Sequence, residues 1–207
     1  MTSPEIVMQL YHSPVSPFVR KVMVTLYETG QLDDVELIST VGNPLDMSKV
    51  SRTENPLSKV PTLVRPSGPA LFDSRVICRY LDDRAGAGLY PEKRVWEVLT
   101  LEALADGIME AAVLMVYESR CRPEEKIHDF WVEGQWAKIG RALDALEARW
   151  ISHLSGPLDM GQIACGCALG YIDFRHGDRN WRDGRESLAQ WEARFAARES
   201  LQQTQPR

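Results

Sequence analysis

Hydrophobic spacing changes near Glu92, and the change divides the chain into halves that cannot share one architecture. Before it, short apolar runs of strand length alternate with helix-period stretches. After it, apolar residues recur only every three or four positions, the period of a helix. Val7–His12 is an apolar run closed by Ser13-Pro14 and reads as a buried strand. Phe18–Glu28 places Phe18, Val22 and Leu26 on one helical face, with Val19 and Met23 beside them, and Gly30 stops it. Val35–Ile38 reads as a second strand, and residues 42–58 as a loop with at most a short helix. Thr62–Arg65 and Ala70–Phe72 flank Pro66-Ser67-Gly68-Pro69 and predict a hairpin, with a helix from about Ser74 to Arg84.

That order predicts a small α/β domain with a mixed sheet over residues 5–85, then a Gly- and Pro-containing linker, Ala85–Glu92. Residues 93–207 predict an all-helical domain. Val98, Leu101, Ala105, Ile108, Ala112 and Met115 form one stripe, and Ile127, Trp131, Ile139, Leu143, Leu146 and Trp150 suggest a second long helix. Ile163–Phe174 is apolar on nearly all sides, as a fully buried helix is, and a last helix is expected near Glu186–Ala197.

Composition excludes several classes of function. The net charge is −5, and both halves are mildly acidic, so bulk charge recruits neither nucleic acid nor an anionic membrane. No apolar run is long enough to span a bilayer, and Met1–Leu10 lacks the basic start of a secretory signal. Cys78, Cys121, Cys165 and Cys167 contain no C-x-x-C pair. They read as free thiols in a reducing, cytoplasmic setting. Cys165 and Cys167 point to different sides of a helix, and His12, His128, His153 and His176 are scattered, so no metal spacing appears.

Three stretches carry chemistry. In Ser13-Pro14-Val15-Ser16-Pro17-Phe18-Val19-Arg20-Lys21, Ser16 lies between a strand end and a helix start. Pro17 in the first turn makes Ser16 a natural N-cap. Capping alone would explain a serine there. The same geometry also offers unpaired N–H groups, a partial positive charge and a hydroxyl to an anion. Ser13 precedes Pro14 in the same turn and competes for that role. In Asn55-Pro56-Leu57-Ser58-Lys59-Val60-Pro61-Thr62-Leu63, a proline stands just before a strand. A cis Val60–Pro61 bond would leave the backbone of Val60 free to pair with an extended ligand; a trans proline opening an edge strand is the alternative. In Phe72-Asp73-Ser74-Arg75, Ser74 is the expected N-cap with Asp73 beside it. That pair suits a ligand carrying both carboxylate and ammonium.

Together, in this order and spacing, these stretches resemble the glutathione transferases, and the resemblance covers nearly the whole chain. It implies a thioredoxin-like domain followed by an all-α domain, glutathione as co-substrate with no other cofactor, and a homodimer. By resemblance, Ser16 is the catalytic serine, Val60 before Pro61 the backbone clamp on the cysteinyl part, and Asp73 with Ser74 the γ-glutamyl site. Lys59 would meet the glycyl carboxylate. Asp106, which shares a helix face with Glu102, would reach the γ-glutamyl amine across the dimer. The electrophile would lie between the two domains. A thiol of pKa about 8.5 becomes mostly thiolate at neutral pH if about 2.7 kcal/mol of preferential stabilisation lowers it by two units. One hydroxyl hydrogen bond and a helix N-terminus supply that order of energy. Two other readings stay open: a non-catalytic binding or regulatory protein on the same fold, and a glutathione-dependent disulfide or peroxide reductase, which the serine in place of a cysteine weakens.

Two further features read as structural. Asp159 and Gln162 suit a capping box for the buried helix. Arg175–Arg185, with four arginines beside Asp178 and Asp183, reads as a solvated loop.

Overall fold

A computed structural model of the chain describes residues 7–40, 45 and 52–206. These fall into two compact units divided after Gly88.

The first unit is built on a three-stranded sheet among the described residues. β1 (Met8–His12) lies between β2 (Val35–Ser39) and β3 (Thr62–Val64). β1 runs parallel to β2, pairing Met8 with Val35 through to His12 with Ser39, and antiparallel to β3, pairing Tyr11 with Thr62 and Leu10 with Leu63. A parallel pair needs a crossover, and α1 (Pro17–Glu28) supplies it. α1 packs against α2 (Ser74–Ala85). Val22, Val24 and Leu26 of α1, Ile77 and Leu81 of α2, Leu10 and Leu63 are all sealed from solvent. Gly86, at φ 60, ends α2 in a left-handed cap.

The predicted hairpin is shorter than expected. β3 meets the returning chain only where Leu63 and Leu71 exchange their backbone hydrogen bonds, at 3.0 and 2.8 Å. Arg65 instead bends back to donate to the Pro69 carbonyl, and Gly68 turns the chain at φ 82. Of the predicted loop at 42–58, residues 42–44 and 46–51 lie outside the described residues, and 52–58 form turns and irregular chain.

The second unit is helical. α3 (Val95–Cys121) packs along α6 (Met160–His176) and α4 (Asp129–Ala145). The predicted stripe of α3 from Val98 to Met115 is buried throughout. The second long helix continues from α4 through a π-helical turn, Leu146–Trp150, into α5 (Ile151–Leu154). Its predicted stripe fails at Trp131, which is 36% exposed. α6 is buried on nearly all sides. A Cβ on Gly161 would stand 2.8 Å from Leu101, and one on Gly166 would stand 2.7 Å from Phe195, so both glycines set how closely α6 can be packed. α7 (Glu186–Phe195) is followed by a short α8 (Glu199–Gln203) that periodicity did not announce.

Asp159 caps α6, its Oδ1 accepting the Gln162 N–H at 3.2 Å. The box is only half formed. Gln162 turns its amide nitrogen to the carbonyls of His153, Leu154, Gly156 and Pro157 instead. The segment from Arg175 to Arg185 is not simply solvated. Arg179 grips Glu133 with two bonds, Arg182 bridges Asp173 and Glu192, and Arg185 holds Asp144. All six tryptophans of the chain belong to this second unit.

Candidate functional site

The register of the first unit gathers the three chemistry-bearing stretches at one end of the sheet. Tyr11 pairs with Thr62, so the turn after His12 and the Val60-Pro61 step lie at the same sheet end. Leu71 pairs antiparallel with Leu63, so two residues further on Asp73 comes back alongside Pro61. The N-termini of α1 and α2 therefore open on the same side as the start of β3.

At the first of them, Ser16 is extended (φ −85, ψ 123) and caps α1. Its Oγ accepts the Val19 N–H at 3.3 Å, and its own N–H is tied to the Ser13 carbonyl at 3.1 Å. Pro17 occupies the first helical position, where its missing donor costs nothing. A hydroxyl that accepts through one lone pair still has a hydrogen to give. Among the described residues, nothing accepts it. Ser13 lies at the entry to the turn and caps no helix. His12, immediately before it, is pushed below its ordinary pKa by burial and so adds no cation at neutral pH.

At the second stretch, the Val60–Pro61 bond is cis. Among the described residues, the N–H and C=O of Val60 have no backbone partner. A polar knot holds the approach. The Asn55 amide donates to the Lys59 carbonyl at 3.1 Å and to Thr62 Oγ1 at 3.0 Å, while its oxygen accepts the Leu57 N–H. Thr62 donates in turn to the Lys59 carbonyl at 2.8 Å. Asn55 and Thr62 are each 1% exposed. Lys59 itself is exposed.

At the third, the cap is displaced by one residue from its predicted place. Asp73, not Ser74, caps α2, its Oδ1 accepting the Arg75 N–H at 3.0 Å. Ser74 is the first residue of the helix and is buried. Both are capping types, and Asp73 takes the position because it is the residue left in extended backbone. The Phe72–Asp73 bond is also cis. Burial pushes the Asp73 carboxyl up. The hydrogen bonds and charge of Arg75, with the charge of Lys21, outweigh that and hold it below the ordinary range.

Lys21 is a residue that sequence reasoning passed over. It lies on α1 with no exposed surface, and its charge reaches Asp73. Its spacing from Pro17 and Val24 put it on the buried face, which was the signal available. Asp106 belongs to the second unit. It is 4% exposed on α3, beside Glu102, which is fully buried and accepts the Tyr90 hydroxyl at 3.0 Å. Both carboxylates are therefore shut off from solvent. Burial, with the charges of Asp159, Cys167 and Asp106, drives the Cys165 thiol far above its ordinary pKa, which leaves it an inert core group.

Comparison with known proteins places the fold among its relatives. Residues 10–88 match the model of the glutathione S-transferase N-terminal domain, and residues 129–194 that of the C-terminal domain. A GST-like protein of Escherichia coli K12, YibF, itself uncharacterized, is 33% identical over 96% of this chain and 98% of its own. The crystal structure of a Pseudomonas fluorescens Pf-5 glutathione transferase family member with bound glutathione superposes with a TM-score of 0.94 at 45% identity, over 97% of this chain and 99% of that one. A second, with S-(propanoic acid)-glutathione bound, gives 0.89 at 46% identity, over 96% and 99%. A strand-end serine, a proline-led strand and an acid–serine helix start thus stand at one sheet end of a fold that matches at both domains, and the chain belongs to the glutathione S-transferase family.

Proposed function

We propose that this chain binds glutathione in its first unit and stabilises the thiolate for attack on an electrophilic small molecule. One observation carries the reading: the Ser16 hydroxyl caps α1 through its oxygen and keeps a hydrogen to donate. A thiolate at that point gains this bond and the partial positive charge of the helix start. Ser16 therefore acts as a hydrogen-bond donor and takes no proton. The thiol proton leaves to solvent, the sulfur lone pair forms the new S–C bond, and the electrophile's leaving group departs with its bonding pair, as chloride does from 1-chloro-2,4-dinitrobenzene.

The remaining groups bind. Val60 pairs its N–H and C=O with the cysteinyl backbone, as a further strand would. The γ-glutamyl carboxylate sits on the α2 start with Ser74, and its ammonium on Asp73. Lys59 meets the glycyl carboxylate. Asp106, 4% exposed in the single chain, is by family resemblance the further carboxylate that reaches the amine across the dimer. The propanoic acid adduct held by the Pseudomonas relative is a thioether, the bond type this reaction forms. By the same family resemblance we take the working form to be a cytoplasmic homodimer.

The test separates binding from chemistry. Ser16→Ala is expected to bind glutathione within a few-fold of wild type by calorimetry. Its turnover with 1-chloro-2,4-dinitrobenzene should fall roughly ten- to a hundredfold, the worth of one charged hydrogen bond. Wild-type turnover in Ser16→Ala removes the assignment. Failure of the wild-type protein to bind glutathione would favour a non-catalytic binding protein on this fold.

A further inference from the structure

α1 and α2 run side by side in the same direction, and their side-chain contacts fix which residues stand level. Thr25 Oγ1 of α1 meets Cys78 Sγ of α2 at 3.4 Å. Further along, Gln31 Nε2 donates to the Leu81 carbonyl at 2.9 Å, and Arg84 pairs with Asp34 at 2.7 Å. One turn back from the Thr25–Cys78 contact stand Lys21 on α1 and Ser74 on α2. Lys21 therefore lies against the opening turn of α2, inside the unit. It is 0% exposed and Ser74 2%.

Packing alone does not call for a lysine there. Methionine or leucine would fill a sealed position with no ammonium to desolvate. The start of a helix carries partial positive charge, so a cation placed beside it is repelled. Asp73 answers part of that charge. Burial pushes its carboxyl up, and Lys21 joins the hydrogen bonds and charge of Arg75 in holding it down. Both Asp73 oxygens are engaged, one by the Arg75 N–H and the other by the Arg75 guanidinium, each at 3.0 Å. Lys21, Arg75 and the helix start thus stand together around one carboxylate, an arrangement that suits an added anion.

We infer that Lys21 is a positioning residue that makes the α2 start select ligands carrying a free carboxylate beside the ammonium. The inference rests on the glutathione reading and deepens it. Lys21 is sealed and does not touch the ligand. From beneath, its ammonium adds to the field of the helix start and holds the γ-glutamyl carboxylate at Ser74, while the ligand's own ammonium stays on Asp73.

Three ligands separate these charges. Glutathione has both, glutaryl-cysteinylglycine keeps the carboxylate without the amine, and γ-aminobutanoyl-cysteinylglycine keeps the amine without the carboxylate. Each is titrated by calorimetry into wild type, Lys21→Met and Lys21→Arg, with chemical denaturation to check the fold. Lys21→Met is expected to weaken glutathione and the glutaryl form by about tenfold and to leave the aminobutanoyl form unchanged. Lys21→Arg should recover most of the loss. If Lys21→Met does not fold, Lys21→Gln carries the same comparison. An equal loss for all three ligands means that Lys21 only supports the fold, and overturns the inference. Unaltered glutathione affinity in Lys21→Met overturns it too, and leaves the glutathione reading standing. A wild type that binds none of the three removes both.

Discussion

Ser16 and Asp73 meet the same need at the starts of two helices, and their chemistry differs because their caps differ. Ser16 caps with a neutral oxygen and keeps a hydrogen for an anion. Asp73 caps with one carboxylate oxygen and spends the other on Arg75 at 3.0 Å. In the function proposed above, an incoming ammonium shares that second oxygen. Because the Asp73 carboxyl is held below its ordinary pKa, the charge that receives the ammonium is complete at neutral pH and is lost only as pH falls through the lowered value. Glutathione affinity, measured by calorimetry across pH, should therefore stay flat down to about pH 4 and decline only below it. In Asp73→Asn the affinity should be low at every pH, with no acid limb. The serine cap was legible because Pro17 marks the first helical turn. The Asp73 cap was misplaced by one residue because two capping types stand side by side, and only the backbone decides between them. Lys21 was not legible as a site residue, since a buried lysine depends on what the fold puts beside it.

At the scale of elements, the loop before β3 is held by side chains and not by regular structure. Asn55 uses both ends of its amide to fix a stretch that has no strand or helix of its own. Asn55→Ala should cost roughly 1–3 kcal/mol by chemical denaturation, the penalty for leaving buried partners unmet. It should also weaken glutathione binding, because Val60 is carried on that loop. Asp159→Ala strikes the buried α6. It removes the cap and leaves His153, 2.8 Å away, and Arg94, 3.6 Å away, without their carboxylate. The expected loss is about 2–4 kcal/mol. Strand and helix identities could be read from period and turn residues. The polar knot could not, because Asn55 and Thr62 meet only once the chain has turned at Ser58, whose φ of 51 no pattern of residue types predicts. The short hairpin was misjudged for a related reason. Arg65 takes the Pro69 carbonyl that a longer ladder would have used.

At the scale of the molecule, the proposed glutathione site would link ligand and stability through the first unit. Glutathione at a hundred times its Kd should stabilise the chain by about 2.7 kcal/mol, seen as a rise in melting temperature, and Asp73→Ala should abolish the rise. The optical makeup of the chain decides how such a shift can be watched. With every tryptophan in the helical unit, emission excited at the red edge of protein absorbance follows one unit alone. Melting of the sheet that carries Ser16 and Asp73 is dark to that channel and visible only in backbone circular dichroism. Two curves that coincide would mean one cooperative transition. Any change of tryptophan colour on adding glutathione would then be a signal sent from a silent unit to a luminous one, and so a direct readout of their coupling.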